Sequence, residues 1–356
     1  MTELLLRPDV RFESEIDEEL LCRAAVFITH DVTSFVLESP HGQRFAFQAG
    51  QYVTVTVTVD GQRLDRCYTI SSPSTRTDQL EITVKRVPGG PVSNWLHDRL
   101  LPGDRVQVAG PLGRFTMSEY PARKYLFLSA GSGITPMMSM TRTLHQRGEA
   151  DADIAFVHCA RSPRDIVFRA ELDHLATAST GVLVAAVCEA DSPDEPWAGL
   201  RGRLTLDALL AVTPDLYDRE VFTCGPAPYM AAVREILTVA GVDPVRCHEE
   251  SFAFDHVTEE PPVLSASTAQ TFSVEFRRSG RTIECDAATS LLQAGLRAGV
   301  ILPSSCGEGV CGTCKTTKLA GQVDMQHGGG IRPREIAQDK ILLCCSTPLA
   351  DLVLDA

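Results

Sequence analysis

The sequence predicts a protein of several domains: an antiparallel β-barrel, an α/β domain with a parallel sheet, and a small α+β domain. Three observations predict this order. Short alternating strands separated by Gly and Pro come first, strand–helix alternation follows, and cysteines crowd into the last fifth of the chain. The length of 356 residues fits two or three domains of the usual size, roughly 150 residues.

The composition excludes several classes of protein. Lys and Arg number 33 and Asp and Glu 46, so the formal charge is −13, which argues against nucleic-acid binding. A hydrophobic share of 44% is too high for a disordered chain. No run reaches the roughly 18 apolar residues of a membrane span, and the N-terminus does not resemble a signal peptide. We therefore expect a cytoplasmic protein with no membrane or nucleic-acid partner and with reduced cysteines.

Residues 1–19 form an acidic leader, and residues 20–118 are predicted to form the barrel. Gln51–Val59 alternates strictly between apolar and polar residues, and Asp60-Gly61 follows as a hairpin turn. Two further strands and a helix are predicted at Leu80–Arg86, Arg105–Gly110 and Ser93–Arg99. Ser93 is expected to cap the N-terminus of that helix.

Residues 119–257 are predicted to form the α/β domain. Its pattern is that of a parallel sheet with crossover helices. The predicted strands are Tyr125–Ala130, Ile154–Cys159, Val182–Cys188 and Val221–Cys224. The predicted helices are one from Gly133 through His145, then Ala170–Ala176 and Tyr229–Ala240.

Residues 258–268 contain two prolines and small polar residues without periodicity, which predicts a linker. Residues 269–356 form the third domain, with a hairpin at Thr271–Asp286 and a helix at about Ser290–Ala298. This domain holds nine basic and nine acidic residues, so the whole negative charge belongs to the rest of the chain.

The strongest motif is Cys306-Gly-Glu-Gly-Val-Cys311-Gly-Thr-Cys314, with Cys344 30 positions further on. C-x₄-C-x₂-C…C is the plant-type [2Fe–2S] spacing, and thiolates suit iron. A zinc site is less favoured, because zinc modules prefer paired CxxC or Cys/His arrangements. Either Cys344 or its neighbour Cys345 could supply the fourth thiolate.

The second motif is Arg66-Cys67-Tyr68-Thr69-Ile70-Ser71-Ser72-Pro73. It places a cation, an aromatic ring and hydroxyls within a few residues, the combination that a flavin needs for its phosphate, its ring face and its N5 edge. Two more motifs lie in the α/β domain. Gly131-Ser-Gly133-Ile-Thr135-Pro follows a buried strand, and Cys224-Gly225-Pro226 ends another. Alone, each is also compatible with an ordinary turn.

Taken in this order, the motifs resemble the ferredoxin–NADP⁺ reductase superfamily joined to a C-terminal plant-type ferredoxin, which has the β-grasp fold. The resemblance implies FAD, rather than the FMN of some relatives, together with a [2Fe–2S] cluster and NADH or NADPH. Plant-type ferredoxins carry a proline four positions after the fourth ligand. Pro348 has that offset from Cys344, so the metal ligands are predicted to be Cys306, Cys311, Cys314 and Cys344.

The resemblance also implies roles for other residues. The expected flavin contacts are Arg66, Cys67, Tyr68, Thr69, Ser71, Val84, Lys85, Arg86, Gly90, Val92, Ser93 and Phe252. The expected nucleotide contacts are Gly131, Gly133, Thr135, Arg161, Cys224, Gly225, Pro226 and Met230. Thr69, Cys224 and Glu250 are candidates to tune hydride transfer at the flavin edge. Phe252 is equally compatible with a plain core residue. A Glu at position 250 is more often a solvated surface residue.

The family order of domains implies electron flow from NAD(P)H through FAD and [2Fe–2S] to a protein partner. The C-terminal sequence is most similar to reductases of Rieske oxygenases, in particular those that demethylate quaternary amines such as glycine betaine. A different metalloprotein acceptor, or a non-enzymatic redox sensor, is the alternative. NADH is preferred because the oxygenase reductases mostly use it, although Arg161 and Arg164 could contact a 2′-phosphate. A basic loop at Gly328–Arg334 is a candidate docking surface.

Overall fold

The computed structural model describes residues 12–13, 15–148, 152–251, 270–300, 302, 307, 309, 312 and 314–356. The chain divides into two compact units, residues 1–252 and 253–356. The predicted leader and linker lie largely or wholly outside the described residues, and the boundaries given above stay predictions. Among the described residues, no helix is both long and apolar enough to cross a membrane.

The first unit begins with the barrel. Its elements are β1 (Phe12–Glu13), β2 (Ile16–Thr29), β3 (Val32–Glu38), β4 (Arg44–Phe45), β5 (Tyr52–Val59), β6 (Gln62–Thr69), β7 (Leu80–Lys85), α1 (Pro91–Arg99) and β8 (Arg105–Leu112). Six strands form an antiparallel sheet in the order β6-β5-β8-β2-β3-β7, and a bridge between Ile70 and Ile82 joins its two outer strands. Asp60 and Gly61, both with positive φ, form the tight hairpin turn predicted between β5 and β6. The antiparallel barrel is therefore confirmed.

The helix of the barrel domain begins earlier than predicted. Gly90 is its N-cap, Pro91 its first residue, and Ser93 lies inside the first turn. Proline favours the first helical position because its φ is already helical and its missing N–H needs no partner there. The Ser93 hydroxyl accepts a hydrogen bond from the Val87 amide and donates to the Gly90 carbonyl, each at 3.2 Å. The prediction that Ser93 caps this helix is wrong.

The rest of the first unit is the α/β domain. Its elements are β9 (Lys124–Ala130), α2 (Thr135–Arg147), β10 (Asp153–Ala160), α3 (Arg169–Ala178), β11 (Val182–Cys188), β12 (Leu200–Arg201), α4 (Leu206–Val212), β13 (Glu220–Gly225), α5 (Ala227–Ala240) and β14 (Cys247–Ser251). The sheet is parallel throughout, in the order β12-β11-β10-β9-β13-β14. Its central strands are buried on both faces, as parallel sheets require. A short 3₁₀ turn at Gly131–Ile134 precedes α2.

The second unit is the small α+β domain. Its elements are β15 (Thr271–Phe276), β16 (Arg281–Asp286), α6 (Leu291–Arg297), β17 (Lys315–Ala320), β18 (Val323–Met325), α7 (Pro333–Ile336), β19 (Lys340–Leu342), β20 (Ser346–Pro348) and β21 (Leu352–Leu354). Five strands form a mixed sheet in the order β16-β15-β21-β17-β19. Ser290 caps α6 by accepting a hydrogen bond from the Gln293 amide. The helix packs on the sheet through Leu291 and Leu292.

Candidate functional site

A cleft of about 430 Å³ lies at the carboxyl edge of the parallel sheet. Gly131 follows β9, Arg161 follows β10, and Pro226 and Tyr229 lie at the start of α5. Lys85 reaches the cleft from β7 of the barrel. Open parallel sheets bind ligands at this edge, and the cleft thus unites predicted nucleotide residues from three separate segments.

The Gly-rich loop packs directly on the backbone that ends β13. A Cβ atom built on Gly133 would lie 2.3 Å from the Cys224 oxygen and 2.6 Å from the Gly225 nitrogen, so a larger residue would displace main chain. Thr135 begins α2, and its hydroxyl donates to the Ser132 carbonyl at 3.1 Å. The two predicted nucleotide motifs therefore pack against each other at the start of α2.

Cys224 and Glu250 lie side by side at the end of β13 and β14. Both are buried, and the Oε2 atom of Glu250 has no hydrogen-bond partner in the described part of the chain. Burial raises the pKa of the Glu250 carboxyl to about 8. Burial and the neighbouring Glu250 raise the pKa of the Cys224 thiol well above its usual value. Just beyond them, Pro226 caps α5 and Met230 is buried in its first turn.

The flavin motif occupies the end of β6 and the residues that follow. Thr69 is buried, and its Oγ1 atom is without a hydrogen-bond partner among the residues described. Burial raises the pKa of the neighbouring Tyr68 hydroxyl. Arg66 is half-buried on the same strand and donates to the preceding carbonyl at 2.8 Å. Ser71 is buried and its hydroxyl donates to Glu81 at 2.9 Å, so its side chain serves the protein's own hydrogen-bond network.

Other residues expected at the flavin have different surroundings. Val84 and Val92 have fully buried side chains in the core of the barrel. The Sγ atom of Cys67 lies 3.7 Å from the Thr54 hydroxyl on the neighbouring strand. Side chains in these positions hold the barrel together, and direct roles at a flavin remain predictions for them.

Two predicted cations are engaged in ion pairs. The Nζ atom of Lys85 lies 3.2 Å from an oxygen of Asp31 in the turn between β2 and β3. Arg86 spans to α1, where it contacts Asn94 at 3.1 Å and Asp98 at 2.6 Å. Arg86 therefore fixes the segment between β7 and α1, the segment that contains Gly90.

The cleft also contains charged residues that the sequence motifs did not indicate. Glu189 follows β11 directly, and its carboxylate lies 3.6 Å from Arg203, which also lines the cleft. Arg161 lies nearby with a side chain 69% exposed, 3.9 Å from Asp31. Glu189 could have been found, because residues that follow the carboxyl ends of parallel strands meet at one edge.

Two of the four predicted cluster ligands, Cys314 and Cys344, lie among the described residues. The Gly309 amide donates to the Cys344 sulfur at 3.2 Å, and the Cys344 amide donates to the Cys314 sulfur at 3.4 Å. Cys345 instead directs its thiol to the Leu342 carbonyl at 3.7 Å. Amide donors aimed at sulfur are the interactions that tune iron–sulfur clusters. Cys306 and Cys311, like Phe252 of the flavin prediction, lie outside the described residues.

The loop at Gly328–Arg334 is not a simple docking surface. Arg332 is buried, with 6% of its surface exposed, and its backbone amide donates to Glu335 at 3.0 Å as the N-cap of α7. Because that side chain is withdrawn from solvent, Arg332 does not add to the exposed basic charge of this loop, and the docking surface stays a prediction.

The residues present fit the groups that the motifs imply. Thr69 and Glu250 each bring a buried polar atom that lacks a partner among the described residues, and such atoms are costly unless a ligand satisfies them. Gly133 leaves no room for a side chain where the nucleotide loop meets Cys224. Cys314 and Cys344 are linked by an amide-to-sulfur bond in a loop rich in glycine.

Family models match all three domains. An oxidoreductase FAD-binding domain matches residues 20–117, an oxidoreductase NAD-binding domain matches residues 127–235, and a 2Fe-2S iron-sulfur cluster binding domain matches residues 274–349.

Characterised proteins match over nearly the whole chain. The glycine betaine monooxygenase reductase subunit of Pseudomonas aeruginosa is 42% identical over 344 residues, which is 94% of each chain. The stachydrine N-demethylase reductase subunit of Rhizobium meliloti is 39% identical, covering 95% of this chain and 96% of that one. The solved structure of phthalate dioxygenase reductase matches with a TM-score of 0.58, at 28% identity over 96% of this chain and 98% of that one.

Proposed function

This chain belongs to the family of oxidoreductases that join FAD-binding, NAD-binding and [2Fe–2S] domains, and from that premise we propose that it serves a Rieske oxygenase that demethylates a quaternary amine. It is an NAD(P)H-dependent electron-transfer reductase. Bound NAD(P)H, FAD and the cluster supply the redox chemistry, a two-electron hydride transfer followed by single-electron steps.

The protein's own residues bind and orient these groups. The observation that supports this role is the close packing of the Gly133 loop, at the start of α2, on the end of β13. This packing places the proposed nucleotide loop beside Cys224 and Glu250. The amide groups at the start of α2 suit a pyrophosphate, because helix N-termini attract anions. Thr69 offers a buried hydroxyl from the barrel.

The thiolates proposed to hold the cluster are Cys306, Cys311, Cys314 and Cys344. The choice of Cys344 over Cys345 is supported by the Gly309 amide, which donates to the Cys344 sulfur. The thiol of Cys345 is directed to a backbone carbonyl.

The quaternary-amine substrate is proposed from the relatives alone. Two of them are a glycine betaine monooxygenase reductase subunit and a stachydrine N-demethylase reductase subunit, and the match covers more than nine-tenths of each chain. We propose an oxygenase partner of the same class, with glycine betaine as the first substrate to test.

The experiment reconstitutes the reductase with FAD and iron and pairs it with a Rieske oxygenase that acts on glycine betaine. Formaldehyde release and amine-dependent NADH oxidation are then measured, with carnitine and a non-methylated amino acid for comparison. Formaldehyde formation that requires both proteins supports the proposal. If the protein reduces a dye with NADH but yields no formaldehyde with the oxygenase, its acceptor is a different metalloprotein. No dye reduction by the loaded protein would indicate a redox sensor.

A further inference from the structure

Helix α2 carries a polar stripe that forms hydrogen bonds with the last residues of the flavin motif and with the two residues that follow it. Its members lie at positions i, i+3, i+4 and i+7, which share one face of a helix: Ser139, Arg142, Thr143 and Gln146. The Ser139 hydroxyl donates to the Ser72 carbonyl at 2.8 Å, and the Thr143 hydroxyl accepts from the Ser74 amide at 2.9 Å. Gln146 accepts a hydrogen bond from Thr75. One helix of the α/β domain thus forms hydrogen bonds with Ser72, Ser74 and Thr75 of the barrel domain.

Arg142 is the centre of this contact and joins the two domains. Its Nη1 atom donates to the Ser71 carbonyl at 2.6 Å and to Glu81 at 2.9 Å, both in the barrel domain. Its Nε and Nη2 atoms donate to the two oxygens of Glu171 on α3 at 2.7 and 2.6 Å. The guanidinium also lies 4.5 Å from the centre of the Phe168 ring. Only 13% of this side chain is exposed.

The barrel side of the contact is itself well fixed. The Ser71 hydroxyl bonds to Glu81 at 2.9 Å and to Thr83 at 2.8 Å, and Thr83 continues to Ser34 at 2.7 Å. Thr69, whose buried hydroxyl has no hydrogen-bond partner among the residues that the structure describes, lies two residues before Ser71. A shift of the Ser71 backbone would therefore displace the flavin motif itself, close to Thr69.

The other end of α2 is the nucleotide loop. The helix begins at Thr135, directly after the turn that packs on Cys224, and Arg142 lies two turns further along. A single helix thus connects the loop beside the nucleotide cleft with the end of the flavin motif and the residues next to it.

We propose that Arg142 is a positioning residue for hydride transfer. It holds Ser71 and Glu81 on α2 and α3, and so sets the flavin motif in a fixed relation to the nucleotide loop. The hydride carries two electrons and one proton from the reduced nicotinamide to the flavin, so the nucleotide is oxidised and the flavin reduced. Misplacement by about 1 Å at such a step can cost about 100-fold in rate. This inference rests on the NAD(P)H–FAD part of the proposed function and needs no particular oxygenase.

The test compares three variants of the holoprotein. Arg142→Met removes every contact, and Arg142→Lys keeps the charge but not the planar fork that reaches both domains. Arg219→Met is the matched control, because the Arg219 side chain is also buried, 7% exposed, and pairs with Asp215 and Asp153, all within the α/β domain.

Two readouts are combined for each variant. Stopped-flow absorbance gives the limiting rate of flavin reduction and the Kd for NADH, and hydrogen exchange reports the protection of residues 71–75. We expect Arg142→Met to lower the limiting rate about 10- to 100-fold with little change in Kd, and to speed exchange in residues 71–75. Arg142→Lys should recover part of both effects, and Arg219→Met should change neither.

Three results would overturn the proposal: an unchanged reduction rate in Arg142→Met, unchanged exchange in residues 71–75, or an equal loss of rate in Arg219→Met. If Arg142→Met does not fold, Arg142→Lys decides by the same criteria, with a smaller expected loss. Flavin reduction precedes any partner protein, so failure to support an oxygenase would refute the proposed partner and leave this inference standing.

Discussion

Cys224 and Glu250 occupy the same register position on neighbouring parallel strands, and both side chains are buried. A thiol and a carboxyl thus lie together at the carboxyl edge of the sheet, beside the loop that contains Gly133. Burial favours the uncharged form of each group, which is why the pKa of both is raised. The site therefore offers two neutral polar groups where the nicotinamide is proposed to bind.

The raised pKa of Glu250 predicts a pH dependence of stability. The pKa of about 8 in the folded protein lies above the ordinary glutamate pKa of about 4.5, so the native state binds the proton more tightly than the unfolded state. The stabilisation from this proton is fully present below about pH 4.5 and is lost as the pH rises to about 8. Glu250→Gln, which mimics the neutral acid, should therefore gain stability relative to the unchanged protein between pH 5 and 8, by a few kcal/mol at most.

Thermal unfolding of the two proteins across that pH range measures this effect. The matched control is Glu249→Gln, the preceding residue, whose carboxylate pairs with Arg234 at the surface. A stability difference between Glu250→Gln and the unchanged protein that does not vary with pH would contradict a raised pKa at Glu250.

The two adjacent cysteines should behave differently when replaced. Cys344→Ser should abolish normal [2Fe–2S] loading, because a proposed thiolate ligand that accepts from the Gly309 amide is lost. Cys345→Ser should keep the cluster, because that thiol is directed to the Leu342 carbonyl. Iron and sulfide content with visible absorbance decides, and loss of the cluster in Cys345→Ser with retention in Cys344→Ser would reverse the assignment.

Gly133 should tolerate no side chain. In Gly133→Ala the new methyl group would meet the Cys224 carbonyl at 2.3 Å, so the nucleotide loop must move. We expect at least a tenfold loss in kcat/KM for NADH, about 1.4 kcal/mol, with FAD and cluster content unchanged. Gly241→Ala is the control, because Gly241 caps α5 with positive φ and open space around it. Gly241→Ala should lower the Tm and leave kcat/KM for NADH unchanged. If it lowers kcat/KM for NADH as much as Gly133→Ala does, the loss in both variants reflects reduced stability and not the nucleotide loop.

Glu189, which directly follows β11 at the edge where we propose that the nucleotide ribose binds, predicts a preference for NADH. Glu189 presents a carboxylate to the cleft, which suits a ribose 2′-hydroxyl and repels a 2′-phosphate. Glu189→Gln should therefore raise kcat/KM for NADPH several-fold while leaving FAD content unchanged. Steady-state kinetics with both nucleotides checks this, and a strong preference of the unchanged protein for NADPH would refute the assignment.

Most of the fold could be predicted from the sequence, because alternating strands such as Gln51–Val59 and buried strands such as Tyr125–Ala130 carry their periodicity locally. The family matches likewise confirm the cofactor set that the motifs implied. The start of α1 was misplaced because Ser93 is a good cap but Pro91 is a better first residue. The role of Arg142 could not be predicted from the sequence, because its partners are brought to it only by tertiary packing. Glu81 and Ser71 lie 61 and 71 positions earlier in the chain, and Glu171 lies 29 positions later.

The most direct test of the electron-transfer account is an anaerobic titration of the FAD- and iron-loaded protein with NADH, followed by electron paramagnetic resonance. The account predicts that the flavin absorbance bleaches and that the signal of a reduced [2Fe–2S] cluster grows as NADH is added. A flavin that bleaches while the cluster stays oxidised at every NADH concentration would contradict the proposed path from nucleotide to cluster.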